Sequence, residues 1–134
     1  MALNVLIVDD SAVMRKMIVR TMRLSGLPLG EVYEVESGQE GLDVLKGRWV
    51  DLAIVDISLP SMSGIEMVDR IRQNPETAEL AVMLISTDSS AARIEILQKH
   101  GSEFEHKPFS PESLREGIGL VTGVTLAEPS EEEI

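Results

Sequence analysis

The sequence predicts an α/β protein in which a five-stranded, parallel, doubly wound sheet is covered by five helices. Two observations predict this fold. Short apolar runs alternate with helical patterns along the chain, which is typical of a sheet with crossover helices. The runs are rich in β-branched residues and too short for buried helices, as expected of parallel strands buried on both faces. Parallel neighbours need right-handed crossovers, so helices lie on both sides of the sheet.

The predicted strands are the apolar runs and one polar segment. The fifth strand is short and polar, which indicates an edge position. In chain order the predicted strands are Val5–Val8, Val32–Val35, Leu52–Val55, Leu80–Ile85 and Glu103–His106.

Capping signals bound the predicted helices. Ser37 followed by Glu40 is a capping-box pattern, and Ser110 with Pro111 and Glu112 is a typical helix start. The first predicted helix ends at Ser25 and Gly26, the second runs from Ser37 to Gly47, the third covers Gly64–Arg72 before Asn74 and Pro75, the fourth covers Ser89–His100, and the fifth runs from Ser110 toward Val121.

Composition narrows the class of protein. A chain of 134 residues with 43% hydrophobic content fits one globular domain, predicted over residues 1–122, with an acidic flexible tail over 123–134. A net charge of -11 opposes direct binding to nucleic acid or to an anionic membrane. The chain contains no cysteine, which excludes thiol chemistry and cysteine-bound zinc. Neither a signal peptide nor a membrane-spanning run is recognisable, so a cytoplasmic location is expected.

Polar groups follow four of the predicted strands. Asp9 and Asp10 follow the first, Asp56 the third, Ser86 the fourth and Lys107 the fifth. Each alone is as well explained by a turn former, an N-cap or a solvated lysine. Functional groups of open α/β sheets gather beyond the carboxyl ends of the strands, so the coincidence predicts one shared site.

Three clustered carboxylates would repel one another. Two unit charges about 5 Å apart cost roughly 3 kcal/mol at an effective dielectric near 20. Either one acid is protonated or a cation is bound. An all-oxygen ligand set with few protein ligands suits Mg²⁺, and Lys107 would balance the remaining negative charge.

Four segments together resemble the CheY-like receiver domain of two-component response regulators. They are VDD followed by SAVMR, then VDISLPSMSG, LIST and FEHKPF, and the resemblance covers roughly residues 3–122. It implies a flavodoxin-like sheet with strand order 2-1-3-4-5.

The resemblance also implies a role for each site residue. Asp56 would accept the phosphoryl group, Asp10 and Asp56 would bind Mg²⁺ directly, and Asp9 would act through water. The remaining implied roles are the backbone carbonyl of Ser58 as a further Mg²⁺ ligand, Ser86 and Lys107 as phosphoryl contacts, Ser86 and Phe104 as the switch pair, Ser58 and Asp88 as residues that tune hydrolysis, and Pro108 as the cis-proline that aims Lys107.

The expected function is that of a stand-alone response regulator. It would take a phosphoryl group from a histidine kinase or phosphotransfer domain, with Mg²⁺, and change its binding to a protein target, with chemotaxis as a plausible pathway. It would be a signalling protein that promotes its own phosphorylation and dephosphorylation. The alternatives are a phosphorylation-independent scaffold, a small Mg²⁺-dependent phosphohydrolase, for which a DxD motif is missing, and a flavodoxin-like cofactor binder, for which a phosphate loop is missing.

Two surface features carry further expectations. The first helix contains Arg15, Lys16, Arg20 and Arg23, which form either a solvated face or a docking face for an acidic partner. Trp49 is expected to be a packing residue.

Overall fold

The computed structural model describes residues 2–86, 103–106 and 112. Its elements in chain order are β1 (Leu3–Val8), α1 (Ala12–Leu24), β2 (Leu29–Val35), α2 (Gly38–Gly47), β3 (Leu52–Asp56), α3 (Gly64–Gln73), β4 (Ala81–Ser86) and β5 (Glu103–His106). The backbone of Glu112 is helical. The predicted helix over Ser89–His100, most of the predicted final helix, and the predicted tail over 123–134 lie outside the described residues.

The five strands form one parallel sheet in the order β2-β1-β3-β4-β5. The predicted strand order is therefore confirmed, and so is the edge position of β5. Val8 at the end of β1 pairs with Val55 of β3, and Asp56 pairs with Ile85 of β4. This register brings the ends of β1, β3 and β4 to the same level.

Each face of the sheet has its own hydrophobic core. Alternate residues of β1 face opposite sides, so Leu6 and Val8 join one core while Val5 and Ile7 join the other. Helices α2 and α3 cover the first core and α1 covers the second. The helical residues buried there are Met67, Val68 and Ile71 in the first core and Ile18 and Met22 in the second.

A serine caps the start of each described helix. The hydroxyls of Ser11, Ser37 and Ser63 accept hydrogen bonds from the amides three residues later, at 3.2, 3.2 and 3.1 Å. The predicted capping box at Ser37 is present, although the Glu40 carboxylate accepts from the Glu36 amide at 3.0 Å. Helix α1 ends as predicted, with Ser25 as the C-cap and Gly26 at a φ of 82°.

Several predicted boundaries were wrong by one to three residues. Strand β2 begins at Leu29 instead of Val32, because the start of β1 pairs across an irregularity, with Leu3 opposite Leu29. Asp56 and Ser86 are the last residues of their strands and do not follow them. Backbone pairing with a neighbouring strand extends both strands through a polar residue.

Trp49 contradicts the expectation of a packing residue, because the residue is 75% exposed. Its indole Nε1 donates to Asp51 Oδ1 at 3.0 Å. Asp51 Oδ2 accepts from the Asn4 amide at 2.8 Å, so the loop before β3 is fastened to the start of β1. Trp49 thus orients a polar network at the amino ends of the strands.

None of the helices in the described part of the chain is long and apolar enough to cross a membrane.

Candidate functional site: an acidic cluster at the carboxyl edge of the sheet

Asp9, Asp10 and Asp56 meet at the carboxyl edge of the sheet. Each contributes a carboxylate oxygen, and these three oxygens lie within 4.8 Å of one another. Asp9 and Asp56 are 1% and 6% exposed, whereas Asp10 is exposed to solvent. The predicted juxtaposition follows from the pairing of β1 with β3, which sets the residues after Val8 beside Asp56.

Backbone amides orient the two buried carboxylates. The Ser11 amide donates to Asp9 Oδ1 at 2.9 Å, and the Ser58 amide donates to Asp56 Oδ1 at 3.1 Å. Both bonds run from the residue two positions later, the pattern of an Asx turn. Each strand therefore ends in a turn that holds its own acid in a fixed direction.

The loop between β3 and α3 is folded tightly against the site. The Ile57 amide donates to the Ile85 carbonyl at 3.0 Å, which continues the pairing of β3 with β4 beyond Asp56. The Gly64 amide donates to the Ile57 carbonyl at 2.9 Å. Ser61 has a φ of 66°, a left-handed conformation that a serine adopts only where the surrounding structure requires it.

Gly64 allows α3 to approach the backbone of Asp56. A Cβ atom at Gly64 would lie 2.5 Å from the carbonyl oxygen of Asp56 and 2.8 Å from Cα of Ile57. Both are main-chain atoms, which cannot move without moving the strand end. The first residue of α3 is therefore held to glycine by the position of Asp56.

The donor set fits a hard divalent cation. Three carboxylates from two adjacent strand ends supply oxygen only, which is the chemistry that Mg²⁺ prefers. With roughly 3 kcal/mol of repulsion per pair of unit charges at this separation, a bound dication would relieve a substantial cost. The Ser58 carbonyl, predicted as a further ligand, belongs to the exposed residue whose amide holds Asp56.

Arg15 is a residue of this region that sequence reasoning placed wrongly. The sequence places it among the surface cations of α1, but its side chain is only 14% exposed. Its Nη1 donates to the Asp9 carbonyl at 2.6 Å, and its Nε lies 3.5 Å from Glu34 Oε1 on β2. The sequence feature that could have indicated this is the position of Arg15 four residues after the Ser11 cap, which puts it on the turn of α1 nearest β1.

The structure describes the other predicted site residues only in part. Ser86 ends β4 one residue beyond the partner of Asp56, and Phe104 of β5 pairs with Leu84. These are backbone positions. Three further predicted site residues lie outside the described residues: Lys107, Pro108 and Asp88.

Comparison with known protein families matches residues 5–119 to the response regulator receiver domain. The chain is 32% identical over 132 residues to a chemotaxis protein CheY homolog of Campylobacter jejuni, covering 97% of this chain and 100% of that protein. It is 37% identical over 110 residues to the two-component response regulator ORR3 of rice, covering 81% and 82% of the two chains.

Solved structures show the same fold. The chemotaxis response regulator CheY4 of Vibrio cholerae superimposes with a TM-score of 0.79 at 28% identity, covering 90% of this chain and 99% of that one. The chain therefore belongs to the response regulator receiver domain family, whose members signal in two-component systems.

Proposed function

We propose that Asp56 accepts a phosphoryl group from a phosphohistidine of a histidine kinase or phosphotransfer domain, in a reaction that requires Mg²⁺. The observation that carries this proposal is the acidic cluster. Asp56 is the buried carboxylate at the end of a central strand, and two further acids lie within 4.8 Å of it. A phosphoacceptor needs this combination of a fixed nucleophile and neighbouring ligands for a cation.

The chain prepares Asp56 for attack by fixing its direction. The Ser58 amide holds Oδ1, and the pairing of Ile57 with Ile85 holds the strand end. Carboxylates are weak nucleophiles, so this alignment supplies much of the rate. A carboxylate oxygen bonds to phosphorus, the phosphorus–nitrogen bond breaks, and the imidazole leaves as a neutral ring after taking a proton from water, which yields an acyl phosphate.

Asp9, Asp10, Asp56 and the Ser58 carbonyl would hold the Mg²⁺ ion. When bound, the ion neutralises the carboxylates and the phosphoryl oxygens. Ser86 and Lys107 would contact the phosphoryl group, Phe104 would respond with Ser86, and Ser58 with Asp88 would tune the hydrolysis that returns Asp56 to its free form. The added charge at the site would change the affinity for a protein target.

The exposed face of α1 supports docking of the phosphodonor. Val13 and Met17 are 70% and 52% exposed, and Lys16 and Arg20 lie beside them. Because α1 begins at Ala12, two residues after Asp10, this face adjoins the acidic cluster. An apolar stripe flanked by cations on a chain of net charge -11 suits an acidic partner.

The docking proposal is tested with Arg20→Glu. Transfer from the phosphorylated kinase should slow several-fold at low salt, since charge complementarity speeds encounter. Phosphorylation by acetyl phosphate, which needs no docking, is the control and should not change. If the rate of phosphoryl transfer from the kinase is unchanged in Arg20→Glu, this face of α1 is not the docking site.

The relatives named above as chemotaxis proteins favour chemotaxis as the pathway, in the cytoplasm. If so, replacing the chromosomal gene with an Asp56→Asn version should alter the reversal frequency of swimming cells. Unaltered swimming would point to another pathway.

The phosphorylation chemistry itself is tested by intact-mass spectrometry after incubation with acetyl phosphate. We expect the wild type to gain one phosphoryl group with Mg²⁺ and none with a chelator. Asp56→Asn should gain none. Asp51→Asn, which changes an aspartate at the opposite edge of the sheet, is the matched control and should react like the wild type. A wild type that stays unmodified with Mg²⁺ would favour the phosphorylation-independent scaffold.

A further inference from the structure

Arg15 differs from the other basic residues of α1. Lys16, Arg20 and Arg23 are exposed, whereas the Arg15 side chain lies against the sheet and is 14% exposed. Its guanidinium connects three elements, since it extends from α1, donates to the residue after β1 and contacts Glu34 on β2. A solvated lysine or arginine makes no such set of contacts.

The bond from Nη1 to the Asp9 carbonyl acts on the site geometry. This carbonyl belongs to the peptide that joins Asp9 to Asp10, and a peptide is planar, so fixing its oxygen fixes the plane from which Asp10 extends. At 2.6 Å the hydrogen bond is short, as expected of a charged donor. Asp10 is the exposed acid of the cluster, and its direction depends on that plane.

The second contact of Arg15 is electrostatic. Its Nε is buried and makes no hydrogen bond within the described structure, while Glu34 Oε1 lies 3.5 Å away. Burying a cation in this way is costly, and the Glu34 carboxylate compensates by charge. Glu34 pairs with Ile7 across the β1–β2 ladder, so it supports the guanidinium from a strand that is hydrogen-bonded to β1.

We propose that Arg15 is a positioning residue that sets the direction of Asp10 by clamping the Asp9–Asp10 peptide, with Glu34 orienting the guanidinium. This inference rests on the proposed function, because the direction of Asp10 matters only if the cluster binds Mg²⁺. Arginine suits the role because its planar fork presents donors in two fixed directions, which a lysine ammonium on a flexible stem does not.

A purely electrostatic role makes the opposite prediction. A cation near the cluster repels Mg²⁺, so removing its charge would tighten Mg²⁺ binding, and replacing arginine with lysine would change little. Positioning predicts weaker binding in Arg15→Lys, although the charge is retained. The two roles therefore differ most clearly in the conservative variant.

The experiment measures Mg²⁺ affinity by calorimetry in the wild type, Arg15→Lys, Arg15→Gln and Glu34→Gln, with Arg20→Lys as the matched control on the exposed face of α1. We expect the dissociation constant to rise about tenfold in Arg15→Lys, as for other residues that orient metal ligands. Glu34→Gln should raise the dissociation constant by a smaller factor. In the Arg15→Lys/Glu34→Gln double variant the factor should be less than the product of the two single factors, because Arg15 and Glu34 share one contact. Arg20→Lys should match the wild type.

A second readout is independent of the metal. The Ser11 amide donates to Asp9 Oδ1, so loosening the Asp9–Asp10 turn should speed its hydrogen exchange in the chelated protein. The melting temperature in chelator shows whether each variant is folded. Unchanged Mg²⁺ affinity in Arg15→Lys would overturn the positioning role while leaving the proposed function intact. If the wild type binds no Mg²⁺, or binds it no more tightly than Asp10→Asn does, both the positioning role and the proposed function would be overturned.

Discussion

The two edges of the sheet use carboxylates in opposite ways. At the amino edge, Asp51 accepts from the Asn4 amide through one oxygen and from Trp49 through the other, at 2.8 and 3.0 Å. At the carboxyl edge, three carboxylates are held within 4.8 Å of one another. The first arrangement pairs a carboxylate with neutral donors and stabilises the fold. The second concentrates like charge, which costs stability and is expected only where function requires it.

Asn4 makes two further hydrogen bonds at the amino edge. The Asp51 amide donates to the Asn4 carbonyl at 2.8 Å, and the Asn4 side-chain oxygen accepts from the Glu31 amide at 2.9 Å. These bonds tie β1, β2 and the start of β3 together. The comparison indicates that the carboxylate at the amino edge serves stability and those at the carboxyl edge serve function, so the two sets of carboxylates can be changed separately.

The largest effect that would sharpen this comparison is expected from Gly64→Ala. The new Cβ would overlap the Asp56 carbonyl and Ile57 Cα, so α3 or the strand end must move, at about 3 kcal/mol of unfolding free energy. The gain in protein stability on adding Mg²⁺ should also be smaller in Gly64→Ala. Gly47→Ala is the control, because a Cβ there meets nothing within 4 Å, and it should not destabilise. Denaturant unfolding measures the unfolding free energy of both variants, with and without Mg²⁺. Equal stability of the two variants would refute the steric argument.

Asp51→Ala should have the next largest effect. It leaves the Asn4 amide and the Trp49 indole without their acceptor, which should lower the unfolding free energy by about 2 kcal/mol. The rise in melting temperature with Mg²⁺ should stay as in the wild type. Asp43→Ala is matched in chemistry, but its partners Gln39 and Lys46 lie on the surface of α2, so its loss should be small. An altered Mg²⁺ response in Asp51→Ala would show that the two edges are coupled.

Asp10→Asn should have the smallest effect and the opposite sign. In chelator, removing one charge from the cluster should raise the unfolding free energy by about 1 kcal/mol, a value reduced by the exposure of Asp10 to solvent. In Mg²⁺ the order should reverse, because the wild type gains stability by binding the ion. Thermal melts in the two buffers test this. If Asp10→Asn melts above the wild type in both buffers, a metal-binding role for Asp10 is contradicted.

The features that follow from strand geometry were predictable from the sequence. Asp9 and Asp56 end apolar runs, and parallel pairing necessarily brings such ends to one edge, so the cluster could be predicted without coordinates. The order of the strands was predictable from the resemblance.

Features that depend on the reach of a side chain were not predictable. Arg15 has the same helical spacing as a surface cation, and only the packing of α1 against β1 and β2 brings it to Asp9 and Glu34. Trp49, just before the third predicted strand, is expected to pack, but its indole N–H donates to Asp51 at the surface. The extra residues of β2 arise from pairing with β1, which local sequence does not encode.

The central position of β1 and β3 has a mechanical consequence. β1 has β2 and β3 as neighbours, β3 has β1 and β4, and the apolar residues of both strands are 0–2% exposed. Displacing Asp9 or Asp56 would strain two hydrogen-bonded ladders and two cores at once. These two strands therefore hold the cluster rigidly, and we expect the more deformable parts of the described sheet to be its two edges, where β2 pairs with β1 alone and β5 with β4 alone.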